Sequence, residues 1–460
     1  MENTLNDKKS RLNEFISNPK ASLWKLAIPM MFGMMVHAVY MLTDTAFIGK
    51  WIGGDALSAL GYVFPYMFII MGITFGLGSG STAVIAKYIG MESKESADSA
   101  AGQTLLIGII ISCIILILTF LFEGNIFSIQ NANPNVIDQA LRYFKILSAG
   151  AVFLIFSMFI RSILSGEGDN LFPMKILGIG TLLNIILDPI FIHYFQKIDR
   201  GIEGAAIATV LSQLIVSIIL IYYLMYKKTS YIDFSIKNLK YNPKIIREIL
   251  VIGIPSSLSM IIMAVGAFIF NLILNSDDAV AAFNVGSRLE HLFFLPVISI
   301  SSSLVTLVGM FYGAQRFDLI REIIVYGLKR GLLFACFCTL FFFFLSGYFL
   351  PFFTDSKVIK DISIQYFGIV CFSYPFVTIG MTSSRIMQGL GRGTPVLIIT
   401  LIRVVLINAP LGWYLTRVLD KPIEYVWYCI LLSSFIASSM GLFWMKNVIK
   451  KHESNYAAVT

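Results

Sequence analysis

Long apolar runs separated by short polar gaps dominate the chain, and twelve of them reach the roughly 20 residues that a helix needs to cross a bilayer. Their approximate limits are 23–49, 57–86, 100–122, 140–164, 171–195, 202–226, 246–274, 279–310, 331–350, 362–387, 395–417 and 425–446. The pattern predicts an all-α membrane protein with twelve transmembrane helices. An even number of crossings puts both chain ends on the same side.

Composition agrees. Of 460 residues 57% are hydrophobic and 13% charged, with a mean hydropathy of +0.78, against roughly a quarter charged in soluble domains. A net charge of +8 could mean nucleic acid, but basic residues flanking spans have a simpler origin in the positive-inside rule. Lys8, Lys9, Arg11, Lys20 and Lys25 precede the first span, Lys227, Lys228, Lys237, Lys240, Lys244 and Arg247 fill the central gap, and Lys446, Lys450 and Lys451 follow the last. These predict cytoplasmic termini in a plasma (inner) membrane, with Gly53-Gly54-Asp55 and Ser276-Asp277-Asp278 outside. No apolar stretch between Lys8 and Lys20 reads as a signal peptide, so the first span directs insertion. The four histidines are scattered, and Cys113, Cys336, Cys338, Cys371 and Cys429 all sit in apolar runs, which predicts core thiols without disulfides and no metal cluster.

The polar stretch 227–247 falls at the midpoint, and landmarks recur on either side of it. Gly54-Asp55-Ala56 matches Asp277-Asp278-Ala279, Gly90 matches Gly313, and Gly166-x-Gly168 matches Gly389-x-Gly391, each 223 residues on. Ile28-Pro29 recurs as Ile254-Pro255 after 226, and Pro173 as Pro395 after 222. The chain therefore reads as a parallel repeat of two six-span halves. We divide it into an N-terminal segment 1–22, an N-lobe 23–226, a linker 227–245, a C-lobe 246–447 and a tail 448–460.

Within the spans a few groups do not belong in hydrocarbon. Asp188 and Asn184 lie four residues apart, on one helix face. A charge facing lipid costs roughly 2.5–3.5 kcal/mol or more, so the carboxylate should face a protein interior or an aqueous cavity. Counting inward from Lys50, Lys197 and Gly201, Asp44, Asp188 and Thr209 lie roughly 9, 13 and 12 Å deep, and Asn184 is one turn further in. The four predict one polar site able to hold a proton or a small hard cation, although Thr209, in a run of small residues, reads equally well as helix-packing glue. Neither carboxylate recurs in the second half, where Ala409-Pro410 stands opposite Asp188-Pro189, so a single ion site in one lobe is expected. Arg288, Glu290 and His291 form a candidate second polar site; Arg288 and Glu290, two residues apart, point to different sides of a helix, so an interhelical structural pair is the better reading. The glycines in Gly166-Glu167-Gly168-Asp169 lack a following Gly-Lys-Ser/Thr and read as a turn, not a phosphate loop. No nucleotide, haem or nucleophile motif is visible, which predicts a non-enzyme without cofactor that draws power from an ion gradient.

Asp44-x-x-Phe47-Ile48-Gly49, Arg161 with Gly166-x-Gly168-Asp169, Asn184-x-x-x-Asp188-Pro189 and Gly204-Ala205-Ala206-x-Ala208-Thr209 together resemble the multidrug and toxic compound extrusion (MATE) family. The likeness is to its bacterial and archaeal branch with acidic residues in the N-lobe. The resemblance implies two pseudo-symmetric six-helix lobes around a V-shaped cavity and export of lipophilic, often cationic drugs in exchange for Na⁺ or H⁺. It implies a cation site at Asp44, Asn184, Asp188 and Thr209, with Tyr40 beside it and Pro29 letting the first helix bend. Glu290 matches no family position. The alternative is a lipid-linked sugar flippase of the same wider superfamily, whose anionic cargo calls for several inward Arg or Lys residues. Expected partners are small molecules and membrane lipids, not nucleic acid, with the chain a monomer. In intact cells carrying a cysteine-free background, a membrane-impermeant thiol reagent should label Asp277→Cys and spare Asn238→Cys; the reverse pattern would overturn the topology.

Overall fold

The computed structural model describes residues 11–122, 133–226, 230–233, 239–274 and 276–457. Of the basic residues counted above, Lys8, Lys9, Lys227, Lys228 and Lys237 lie outside the described residues. Twelve helices have the length and apolarity to cross a membrane. They are α1 (Pro19–Trp51), α2 (Gly54–Gly90), α3 (Lys94–Phe122), α4 (Pro134–Gly166), α5 (Leu171–Gln196), α6 (Gly201–Tyr226), α7 (Pro243–Leu274), α8 (Asp277–Gly313), α9 (Phe317–Phe349), α10 (Lys357–Gly389), α11 (Thr394–Val418) and α12 (Glu424–Ala457). Most run past the apolar limits read from the sequence, because their polar ends stay helical outside the hydrocarbon. α10 is interrupted by a 3₁₀ turn at Cys371–Ser373, and α11 carries π-helical segments at Ile402–Asn408 and Tyr414–Val418.

The duplication is written into the backbone as well as the sequence. Six of the seven described residues with positive φ come in matching pairs that end corresponding helices: Glu92 (54°) with Gln315 (58°), Gly168 (82°) with Gly391 (83°), and Asp199 (58°) with Asp420 (45°); Gly53 (120°) stands apart, its counterpart Ser276 being extended. A left-handed residue just beyond a helix lets its last carbonyls find donors: Ser93 N donates to Tyr88 O and Arg316 N to Phe311 O, both at the start of the next hairpin.

Two six-helix lobes result, α1–α6 and α7–α12, and their packing differs along the membrane normal. At the end that carries both described chain termini, one apolar cluster draws on both lobes, including Leu77 and Ile85 from α2, Ile249 from α7 and Leu304 from α8. At the opposite end there are two separate clusters. One, in the N-lobe, contains Ile48, Val63 and Phe144; the other, in the C-lobe, contains Phe270, Phe342 and Trp427. The lobes therefore meet at one end and part at the other, leaving residues toward the parted ends of α1 (Val39, Leu42) and α7 (Phe268, Leu272) exposed.

What closes the shared end is a glycine seam. Gly72, Gly76 and Gly80 recur every four residues on α2 and face Met260, Ser257 and Gly253 of α7. A Cβ on Gly80 would stand 2.5 Å from the Ile249 carbonyl oxygen and 2.9 Å from Gly253 N, so only glycine lets the backbones come this close, as small-residue helix pairs in membranes require. The pseudo-symmetric contact between α8 and α1 is softer: Ser299 and Ser303 meet the sulfurs of Met34 and Met30 at 3.9 and 4.0 Å. α1 also contains Pro29, which cannot donate to the carbonyl four residues back.

The turn between α4 and α5 ties other segments to this end. Asp169 accepts from Arg11 (3.3 Å) and from the Tyr223 hydroxyl (2.8 Å). Glu167 accepts from Ser230 Oγ and from Ile232 N, the latter at 2.9 Å. At the far end of the linker, Gln103 of α3 donates to Lys240 O (2.9 Å) and accepts from Asn242 N (3.2 Å). The N-lobe thus holds the described parts of the linker up to the residue before α7. The cysteines are free, but Cys113 and Cys336 are exposed on the helix surface; an apolar run supplies lipid-facing as well as core positions, so these two are not core thiols. Gly80→Val should overpack the α2–α7 seam at about 1–3 kcal/mol, read as a lower thermal midpoint in detergent, whereas an unchanged midpoint would show that the seam is not what joins the lobes.

Candidate functional site

α1, α5 and α6 bring the polar residues of the N-lobe together. Asp188 is wholly buried and Asn184, one turn away on α5, is 2% exposed. The Asn184 amide donates to Asp188 Oδ1 (3.1 Å) and to Thr209 Oγ1 of α6 (3.3 Å). Asp44 of α1 lies beside Asp188, and Tyr40, one turn along α1, lies beside Thr209. The structure therefore gathers Tyr40, Asp44, Asn184, Asp188 and Thr209 into one cluster. Pro29 is not in it; fifteen residues before Asp44, it lies roughly 22 Å down the axis of α1, near the Leu26 carbonyl that accepts from Asn170 Nδ2 (3.1 Å).

The unsatisfied atoms define the cluster's chemistry. Asp44 Oδ1, Asn184 Oδ1 and Asp188 Oδ2 are buried without a hydrogen-bond partner. All three are acceptors, and among the described residues no Lys or Arg forms an ion pair with either carboxylate. A buried polar group without a partner costs roughly 1–3 kcal/mol, more when charged. Three orphan acceptor oxygens in one cluster suit an added proton or a hard cation.

Further residues line this region that the sequence reading did not single out. His37 stacks on Tyr40 with ring centres 5.6 Å apart, and a small cavity runs from these rings past Thr181 to Ser212 and Gln213. Tyr143, buried on α4, is close enough to sense the charge of Asp44 and Asp188. The spacing held a signal: His37, Tyr40 and Asp44 form an i, i+3, i+7 stripe, and Gln213 follows Thr209 by one turn. Tyr143 offered none, since it sits alone on the apolar face of α4.

In the C-lobe the expected trio separates. Arg288 is exposed and does not pair with Glu290, because two residues along a helix turn the side chains about 200° apart. Glu290 instead accepts from the Tyr374 hydroxyl (2.9 Å), with Tyr366 and Arg403 also beside it. It lines a cavity of about 430 Å³ together with His291, Arg385, Arg403 and aromatic residues including Phe270 and Phe294. Arg403 sits in the first π-helical segment of α11, a local widening of the helix that often marks functional positions.

A duplicated helical membrane protein, with a cleft between its lobes and ionisable groups facing inward, is built as a transporter. The MatE family model matches residues 29–190 and again 255–414, once per lobe, and the chain belongs to this family of multidrug efflux transporters. The second match begins 226 residues after the first, the same interval as between Pro29 and Pro255. The chain is 26% identical to the "Probable multidrug resistance protein NorM" of Thermotoga maritima, over 93% of this chain and 92% of that protein. It is 29% identical to an "FAD transporter" of Shewanella oneidensis, over 85% and 86%. A solved structure described as the outward-facing conformation of a multidrug resistance MATE family transporter superposes with a TM-score of 0.89, at 28% identity, covering 95% of this chain and 97% of that one.

Asn184 is the one donor shared by a carboxylate and a hydroxyl here. Asn184→Leu should lower stability by about 1–3 kcal/mol, measured by thermal unfolding; a variant as stable as the parent would mean that Asp188 does not depend on this amide.

Proposed function

We propose that the chain is a secondary antiporter that exports lipophilic, often cationic compounds in exchange for H⁺ or Na⁺ by alternating access. It stands in the inner membrane with both termini cytoplasmic, so the parted end of the lobes faces out. The observation that carries this reading is the cluster of orphan acceptors at Asp44, Asn184 and Asp188. With no cationic side chain among the described residues paired to it, the carboxylate pair takes its counter-charge from solution. Oxygen ligands alone suit Na⁺, and a proton placed on either carboxylate also removes the repulsion between two like charges held together. Na⁺ and H⁺ then compete for one site.

Coupling follows from where the ligands sit. Asp44 belongs to α1, and Asn184, Asp188 and Thr209 belong to α5 and α6, so loading a cation changes the attraction between α1 and its neighbours. α1 is the helix with Pro29 and the softer contact to the C-lobe. We assign it the bending that closes the N-lobe cavity and expels the drug.

The C-lobe cavity, walled by Phe270, Phe294 and Met263 with Glu290 among them, suits a lipophilic cation. A second cargo class is favoured by one observation: Arg385 and Arg403 outnumber Glu290 around that cavity, which also accommodates an aromatic molecule bearing an anionic group. The FAD transporter among the relatives is in keeping with this.

In proteoliposomes, wild-type protein should exchange drug under an imposed pH gradient without Na⁺. Added Na⁺ should move the pH optimum downward, since more protons are then needed to occupy the shared site. Asp44→Asn and Asp188→Asn should reach the membrane normally yet lose gradient-driven export, while Glu290→Gln should do less. Transport by Asp188→Asn at the parental rate would refute the site; transport following only a Na⁺ gradient would remove the proton from the cycle and leave the site standing.

A further inference from the structure

A third cavity, of about 390 Å³, opens where the two lobes meet at the end that carries the chain termini. Its wall takes Lys87 from α2 of the N-lobe, and Lys244, Arg247, Glu248 and Val251 from the first turns of α7 in the C-lobe. Gly389 and Gly391 contribute backbone without side chains. Lys87 is held by Glu248 at 3.1 Å, and the same carboxylate oxygen accepts from the Tyr88 hydroxyl at 3.1 Å. Lys244 and Arg247 have no ion-pair partner among the described residues. Two uncompensated cations therefore border a recess beside a bridge that is already neutral.

The surface that leads away from this recess is apolar. Arg247, Val251, Ile254 and Leu258 follow one another at intervals of four, three and four residues, so they form a single stripe on α7. Val251, Ile254 and Leu258 are 50%, 48% and 43% exposed, while Ile249, Gly253 and Ser257 turn the other way into the seam with α2. At 1.5 Å per residue the stripe descends from Arg247 by roughly 16 Å to Leu258, the depth of a bilayer leaflet's hydrocarbon. A ligand that fits must carry an anionic head for Lys244 and Arg247, continuous with an alkyl chain for the stripe.

We infer that this recess binds the phosphate headgroup of an anionic phospholipid, with one acyl chain lying along Val251, Ile254 and Leu258. Basic pockets between helices at a membrane surface recognise such headgroups. Because Lys87 and Glu248 bridge the lobes at the same point, a lipid seated here contacts both lobes only while the α2–α7 seam is closed. It therefore favours the form described above over one in which that end opens. Free phosphate shares the headgroup's chemistry but not the apolar stripe, which is why we assign the lipid.

The test places purified protein in nanodiscs of phosphatidylcholine, with or without a minor fraction of phosphatidylglycerol, and follows lipid retained through mild delipidation by native mass spectrometry. Wild-type protein should hold phosphatidylglycerol in preference and melt at a higher temperature with it. K244Q/R247Q should bind it about thirtyfold more weakly, at about fivefold per cation, and K244R/R247K should behave as wild type. Should the double Gln variant fail to assemble, K244Q alone, at an exposed position, should show the fivefold loss. Equal retention of phosphatidylglycerol by wild type and K244Q/R247Q, or by wild type and K244Q, would overturn the site. Equal stabilisation by inorganic phosphate in phosphatidylcholine discs would overturn the lipid, leaving an anion site.

Discussion

Two carboxyl groups lie side by side inside a membrane protein without a cationic side chain, among the described residues, to answer them. At about 4 Å two unit charges repel by about 4 kcal/mol even at an effective dielectric of 20, so the pair is tolerable only when a proton or a cation lies between them. Everything around the pair serves that condition. Asn184 satisfies one oxygen of Asp188 and reaches Thr209, Tyr40 of α1 and Tyr143 of α4 lie nearby, and each orphan oxygen is an acceptor. A site so short of donors is unstable without a proton or cation to share, as the proposed coupling role requires.

The lobes turn that local condition into a global one. Membrane helices gain little from hydrophobicity when they pack on one another, so their contacts rest on close approach and small residues. The α2–α7 pair uses glycine and brings backbones together; the α1–α8 pair, in the symmetric place, uses methionine against serine. The duplication has thus kept the scaffold while giving each seam a different stiffness. The helix that carries Asp44 is on the looser side.

Much of this was legible in the chain. Hydrocarbon length fixed the twelve helices, and landmarks repeating every 221 to 226 residues exposed the duplication, since both are properties of local sequence. Asp44, Asn184, Asp188 and Thr209 could be grouped because depth can be counted from span ends. Arg288, Glu290 and His291 could not be sorted in the same way: the partners of Glu290 come from Tyr366, Tyr374 and Arg403 on two other helices, and no spacing along one helix reports contacts across three. His37 and Gln213 lay on stripes that periodicity reveals only once the functional face is known. Cys113 and Cys336 were misplaced for a related reason, as hydrophobicity in a membrane does not separate core from periphery.

The fastening of the linker has a mechanical consequence. A sixteen-residue tether between two lobes would ordinarily let them drift apart, its reach growing as the square root of its length. Here Glu167 holds it at Ser230 and Ile232, and Gln103 holds it again at Lys240 and Asn242. α7 begins at the very next residue, Pro243, whose ring fixes its φ. The covalent slack between the lobes shrinks to a single joint beside the glycine seam. The C-lobe is thereby placed like a lever on a fulcrum at the base of α7, and even a small rotation about that point would be magnified into a wide gap at the far ends of α1 and α7.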